Sequence, residues 1–152
     1  MNEPCVPDLV MGAVAQRAVD RVMHTGREEE VSAAFGTDLV LSDLIQAAQH
    51  TKLLSNRRLI VRAIGISERT LQRWLKVPST RLTPEHGIQF LRLIAVFARV
   101  EAMFGSGIKA ERWLCDPAMG LERRIPIDLL RSRADYELLA TFLIRLEYGV
   151  YH

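Results

Sequence analysis

The side chains best suited to catalysis or metal binding are few in this chain of 152 residues, and they do not form a familiar group. Two cysteines, Cys5 and Cys115, lie far apart, which predicts free thiols in a reducing cytoplasm. No Gly-x-Ser-x-Gly turn is present. The four histidines are scattered without the spacing of a zinc site: His24, His50, His86 and His152. The sequence therefore predicts no metal, no cofactor and no enzymatic activity.

Basic residues concentrate in one block of the chain. Residues 52–81 carry eight Lys or Arg and a single Glu, whereas residues 1–51 carry three Arg and eight Asp or Glu. Residues 82–152 carry nine of each sign. A basic block in a near-neutral chain is expected of a surface that binds the phosphate backbone of nucleic acid. The alternatives are an ordinary solvated face and a face that binds the acidic residues 1–51.

The elements that would position these charges are helical nearly throughout, because apolar residues recur at helical spacing and no period-2 runs appear. The predicted fold class is all-α. Residues 1–51 form an acidic helical region that dimerises or acts as an arm, with one helix after Pro7 and a second capped by Ser42. Residues 52–105 form a helix-turn-helix domain, and residues 106–152 form a small helical C-terminal domain. We expect no signal peptide and no membrane span, and hence a cytoplasmic protein.

The helix-turn-helix prediction rests on the segment "NRRLIVRAIGISERTLQRWLK". Gly65 ends its first helix and Ser67 caps the second. The apolar residues of both helices have core spacing: Leu59, Ile60, Ala63, Ile64, Leu71, Trp74 and Leu75. Short helices joined by a glycine turn, with a basic second helix, are typical of DNA-binding modules.

Each polar residue of this segment has a predicted DNA contact. Ser67 and the first N–H groups of the second helix would meet a phosphate. The residues expected to face base edges are Arg69, Thr70, Gln72 and Arg73. The residues expected to contact the phosphate backbone are Lys76, Arg57, Arg58 and Arg62. One such module binds weakly alone, so we expect a two-fold dimer on a palindromic site.

The last third predicts a further helix and an unusual tail. The helix "ADYELLATFLIRLEYG" is expected to bury Leu138, Leu139, Phe142 and Leu146, and Gly149 ends it. The tail that follows carries two large amphipathic rings, the profile of an interface hot spot: Tyr148, Gly149, Val150, Tyr151 and His152. The alternative is that Tyr148 and Tyr151 pack on Trp113 or Phe142 and only cap the fold.

The last third also resembles the toxin-binding domain of the Xre/MbcA/ParS family of bacterial antitoxins. The stretches that carry the resemblance are "AERWLCDP", "IPIDLLRS" and "ELLATFLIRLEYGVY". The matching positions are Trp113, Leu114, Pro117, Leu121, Pro126, Asp128, Leu129, Leu130 and Tyr148-Gly149-Val150-Tyr151. Residues 59–105, with "IGISERTLQRWL", are similar to the Xre-type helix-turn-helix of the family.

The resemblance implies a function and a partner. Members of this family are type II antitoxins that pair with RES-domain toxins, which consume NAD or transfer ADP-ribose from it. The antitoxin covers the NAD cleft of the toxin, and the complex commonly binds its own operator DNA. The tail from Tyr148 to His152 would then be the plug, with Arg131 and Arg145 beside it. Where the family often has a Leu-Gly-Gly turn, this chain reads "LERR", so Arg123 and Arg124 are expected to be contacts peculiar to this pair.

Two readings of the whole chain remain at this level. The first is an antitoxin that neutralises a RES-domain toxin and represses its own operon, as a homodimer or within a symmetric toxin–antitoxin hetero-oligomer. The second is a stand-alone transcriptional repressor whose C-terminal domain dimerises or senses a ligand. A neighbouring gene for a small toxin would favour the first.

Overall fold

Six helices account for most of residues 39–49 and 51–149, the part of the chain that the computed structural model describes. They are α1 (Leu41–Ala48), α2 (Arg57–Ile64), α3 (Glu68–Lys76), α4 (Pro84–Phe104), α5 (Gly107–Cys115) and α6 (Arg133–Glu147). Short 3₁₀ turns lie at Leu53–Ser55, Met119–Leu121 and Pro126–Leu130. The all-α fold class is therefore confirmed. The predicted helix after Pro7 lies outside the described residues.

The long helix α4 is the centre of the fold. Thr83 Oγ1 accepts a hydrogen bond from the His86 N–H, Pro84 occupies the first turn, and Gly105 ends the helix at a φ of 71°. Residues 89–97 of α4 are buried on every side, as expected of a helix that other elements surround. Helices α1, α2, α5 and α6 all pack on it.

A single hydrophobic cluster joins both halves of the described chain. It contains Leu71 of α3, Phe90 of α4, Leu129 of the last 3₁₀ turn and Leu139 of α6. The division into domains at residue 105 stays a prediction, since one core runs across that position.

The start of α1 differs from the prediction that Ser42 caps it. The cap residue is Val40, which makes no side-chain cap. Instead, the N–H groups of Leu41 and Ser42 donate to the carbonyl oxygens of Thr80 and Pro78, each at 2.9 Å. Two-residue strands, β1 (Leu39–Val40) and β2 (Arg81–Leu82), pair antiparallel just before this point. Backbone groups from the loop after α3 thus satisfy the donors that a cap would otherwise serve, and strands of two residues are too short to give a sequence pattern.

The inner face of α6 also differs in part from the prediction. Leu139 is buried as expected, but Leu138 is 49% exposed and the core instead receives Tyr136, Ala140 and Leu143. These positions have the i, i+3, i+4, i+7 spacing of one helix face, and Leu138 lies outside that stripe.

A buried arginine links α4 to the C-terminal third. Arg92 is 4% exposed, and its Nη1 donates to the carbonyl oxygen of Leu130 at 2.9 Å. Its guanidinium carbon lies 5.2 Å from the centre of the Tyr136 ring, within cation–π range. Burial lowers the pKa of Arg92 and raises the pKa of Tyr136. The charge is thus held by a carbonyl and a ring, which bring the 3₁₀ turn and α6 onto α4.

No helix within the described residues is both long and apolar enough to cross a bilayer.

Replacing Arg92 with methionine tests this link. We expect Arg92→Met to lower the free energy of unfolding by about 1–3 kcal/mol, because the buried Leu130 carbonyl loses its donor. Arg145→Met is the matched control, since Arg145 is exposed on α6 and its loss should change stability by less than about 0.5 kcal/mol. Urea denaturation measures both. Equal stability of the two variants would contradict the assigned role of Arg92.

Candidate functional site

Helices α2 and α3 form the tight pair that the sequence indicated. Gly65 follows α2 with a φ of 76°, the left-handed conformation that glycine adopts without strain. Ser67 caps α3 by accepting the Thr70 N–H at 3.1 Å. The apolar residues face inward: Leu59, Ile60, Ala63, Ile64, Leu71 and Trp74 are buried, and Leu75 is partly buried.

The outer side of α3 presents a row of polar and basic side chains. Those that the structure leaves exposed are Arg69, Gln72, Arg73 and Lys76. Thr70 is partly buried, and its Oγ1 lies 2.8 Å from Ser67 Oγ, so these two hydroxyls are engaged with each other at the cap. Four of the predicted base and phosphate contacts therefore share one accessible helix.

The predicted phosphate contacts of α2 have different surroundings. Arg57 and Arg58 are exposed and line an open groove of about 1060 Å³ together with Glu68, the first residue of α3. Arg62 instead forms an ion pair with Asp128, with 3.3 Å between Nη2 and Oδ2. Arg57 and Arg58 thus line the same groove as the first residue of α3, whereas Arg62 is joined to the C-terminal third.

Two of the predicted toxin-contacting arginines have partners within the chain. Arg131 Nη2 donates to the carbonyl oxygen of Arg62 at 3.0 Å, close to the end of α2 where a cation is favourable. Arg124 Nη2 lies 2.9 Å from Asp135 Oδ2, and its hydrogen bond holds the pKa of Asp135 below the usual range. Both side chains remain largely exposed, so these contacts restrain them without removing them from the surface.

Arg123 lies in a turn of unusual backbone conformation. Arg123 and the preceding Glu122 have φ values of 63° and 56°, in the left-handed region that side chains other than glycine rarely adopt. The N–H of Arg123 donates to the carbonyl oxygen of Ala118 at 3.0 Å, and Ala118 pairs with Arg124. The Arg123 side chain is exposed on this turn.

The first residue of the tail is strongly exposed. Tyr148 is 77% exposed, so the alternative that it packs on Trp113 or Phe142 is wrong. Trp113 instead stacks on Phe142, with 6.2 Å between ring centres and 5° between planes. Gly149 turns at a φ of 69°, and Arg145 is exposed one turn earlier. Val150, Tyr151 and His152 lie outside the described residues.

An apolar surface lies beside the start of the tail. Phe104 is 38% exposed and borders two hollows, one of about 450 Å³ towards Leu146 and Glu147 and one of about 320 Å³ towards Trp113 and Pro117. We call this region the Phe104 surface and define its members as Met103, Phe104, Trp113, Pro117 and Leu146. Exposed apolar rings next to a helix end are typical of protein-binding surfaces.

Sequence reasoning missed several exposed apolar side chains. The sequence pattern does not indicate the exposure of Phe104, Ile108 or Met119. Their side chains are 38%, 71% and 80% exposed, respectively. For Ile108 a signal existed, because Ala110 and Leu114 are the buried residues of α5 and Ile108 lies outside their stripe.

Metal-ligating side chains and the one described thiol were compared with the needs of a metal site and of a nucleophile within residues 39–49 and 51–149. No three His, Cys, Asp or Glu side chains gather there as metal ligands would. Burial raises the pKa of the Cys115 thiol, which is the opposite of what an activated nucleophile requires.

Comparison with known families identifies the kind of module. Residues 99–149 match the family model of the antitoxin Xre/MbcA/ParS C-terminal toxin-binding domain. The resemblance of the last third of the sequence is thus confirmed: this segment is similar to the toxin-binding domain of Xre/MbcA/ParS antitoxins. The domain supports assignment of the chain as an antitoxin of a type II toxin–antitoxin system, with a toxin as its partner. No curated protein matches the chain.

Most positions that carried the resemblance have structural roles. Leu114, Leu129 and Leu130 are fully buried, and Leu121 and Pro126 are buried with them. Asp128 pairs with Arg62, and Trp113 stacks on Phe142. The family pattern therefore describes how the domain folds, and Tyr148 is its clearest exposed member.

A substitution at Gly120 tests whether this residue leaves the space that Phe142 needs to stack on Trp113. A Cβ at this position would collide with the ring of Phe142, so we expect Gly120→Ala to displace that ring from Trp113 and to destabilise the fold by about 1–3 kcal/mol. The checks are urea denaturation and tryptophan fluorescence. Met119→Ala is the control, because Met119 is exposed. An unchanged denaturation midpoint for Gly120→Ala would show that Phe142 is not held here.

Proposed function

We propose that this chain neutralises a RES-domain toxin by placing the tail that begins at Tyr148 in the NAD site of that toxin. The observation that carries the proposal is the 77% exposure of Tyr148 at the end of α6, within the segment that matches the toxin-binding domain. Covering a large exposed ring, together with the apolar side chains next to it, contributes favourably to the free energy of binding a partner. Gly149 then gives the backbone freedom to turn towards a cleft.

The surroundings of Tyr148 suit the same task. The Phe104 surface adds apolar area next to the tail, which would pack against the rim of the cleft. Arg145 and Arg123 are exposed and basic, so they would meet acidic groups of the toxin. Arg124 and Arg131 would contribute less, because each is already restrained by a partner in its own chain.

Removing the Tyr148 ring tests the proposed plug. We expect Tyr148→Ala to weaken toxin binding by about 2 kcal/mol, or about 30-fold in Kd, as for an interface hot spot. Growth rescue after co-expression with the neighbouring toxin gene and calorimetric titration of the purified proteins measure the loss. Stability should not change, because the side chain is exposed.

The control for Tyr148→Ala is Val77→Ala. Val77 is also an exposed apolar residue, at 50%, but it follows α3. It should leave toxin binding unchanged. Full rescue by Tyr148→Ala would refute the plug, and a harmless neighbouring gene would favour a stand-alone repressor.

We further propose that α2 and α3 are a DNA-binding helix-turn-helix through which the chain represses its own operon. The support is the accessible row of Arg69, Gln72, Arg73 and Lys76, with Arg57 and Arg58 exposed in a groove that the first residue of α3 also lines. Guanidinium groups on such a helix read guanine edges and bind phosphates. Since one module makes few contacts, the DNA-bound form is expected to be a dimer or a symmetric complex with the toxin.

Arg73 tests the DNA half of the proposal. We expect Arg73→Ala to weaken binding to the upstream DNA of the operon and to reduce the slope of log K against log salt by about one. Toxin rescue should be unaffected. Fluorescence anisotropy at several salt concentrations is the measurement, and Arg123→Ala is the control because it removes an exposed arginine from the other half. Unchanged DNA affinity for both Arg73→Ala and Arg69→Ala would exclude α3 as the recognition helix.

A further inference from the structure

A second arginine of α4 lies where the tail begins. The Arg99 side chain is only 15% exposed, and its Nη1 is 3.6 Å from Glu147 Oε2. Among the described residues this Nη1 has no hydrogen-bond partner. Within the part of the chain that the structure describes, the Glu147 carboxylate is therefore the counter-ion found beside this largely buried cation. Glu147 is the last residue of α6, and Tyr148 follows it directly.

We propose that Arg99 is a positioning residue for the tail, and this inference rests on the proposed function. A poorly solvated guanidinium attracts its counter-ion strongly, because losing that partner leaves a desolvated charge uncompensated. Arg99 belongs to the central helix, so the contact ties the end of α6 to the most buried element of the fold. The last turn of a helix otherwise tends to fray.

Two backbone hydrogen bonds continue this restraint into the tail. The Tyr148 N–H donates to the Ile144 carbonyl oxygen and the Gly149 N–H to that of Leu146, each at 3.1 Å. Together with the Arg99–Glu147 contact they fix the direction in which the chain leaves α6. A tail held in its binding direction loses less conformational entropy when it enters a cleft, which strengthens binding without any contact to the toxin.

Helix α6 also contains an ion pair that lies away from the tail and can serve as a control. Arg133 Nε and Glu137 Oε1 lie 3.3 Å apart, but both residues belong to α6 and their side chains are about half exposed, at 50% and 51%. This pair is at the far end of the helix from the tail. Glu137→Gln is therefore the control for Glu147→Gln.

A double-mutant cycle with the neighbour-encoded toxin tests the proposal. Arg99→Gln is expected to raise the Kd for the toxin about tenfold when Tyr148 is present, and by less than about twofold in the Tyr148→Ala background. Glu147→Gln should act like Arg99→Gln, and Glu137→Gln should change nothing. Hydrogen exchange should show faster exchange of the Tyr148 and Gly149 amides in Arg99→Gln, with the amides of residues 89–97 unchanged.

The outcomes separate this inference from the function on which it rests. Equal loss of affinity with and without the Tyr148 ring would show a merely structural role for Arg99, and no loss in either would also overturn the proposal. If Tyr148→Ala itself leaves affinity unchanged, the plug fails and the inference fails with it. Should Arg99→Gln not fold, Glu147→Gln carries the same test, because its side chain is 49% exposed.

Discussion

The burial of Arg92 is the constraint on which the described structure depends. A guanidinium inside a hydrophobic core is tolerated only where acceptors are fixed around it. Here the acceptors are the Leu130 carbonyl and the face of Tyr136, which belong to the 3₁₀ turn and to α6. The charge therefore requires that both elements dock on α4, and their apolar side chains then complete the core. The segment around Pro126–Leu130 becomes the joint between the two halves of the chain.

That joint has consequences for both proposed activities. Asp128 and Arg131 reach from it to the side chain and the carbonyl of Arg62 in α2. Helix α2 packs against α3, the helix proposed to bind DNA. The C-terminal third therefore contacts the same helix that supports α3. The residues free for partners are then those that the joint does not use, namely the outer side of α3 at one place and Tyr148 with the Phe104 surface at another. The two proposed binding surfaces would therefore share one hydrophobic core.

Local features could be predicted from the sequence, and long-range ones could not. The cap at Ser67 and the turn at Gly65 depend on a few neighbouring residues, and both are present.

The contacts of Arg92 and Arg131 join residues 38 and 69 positions apart, so no local pattern could show that these arginines have partners inside the fold. Ser42 was misassigned as a cap for the same reason, since the loop after α3 supplies the acceptors. The exposure of Tyr148 needed the structure, because a ring at a helix end can either fold back onto the core or project into solvent.

The measurement that tests the central claim most directly is the steady-state kinetics of NAD consumption by the purified toxin at a fixed concentration of this chain. Occlusion of the NAD site by the tail predicts competitive inhibition, with a raised KM for NAD and an unchanged kcat. A lowered kcat with an unchanged KM would place the chain elsewhere on the toxin and contradict the account.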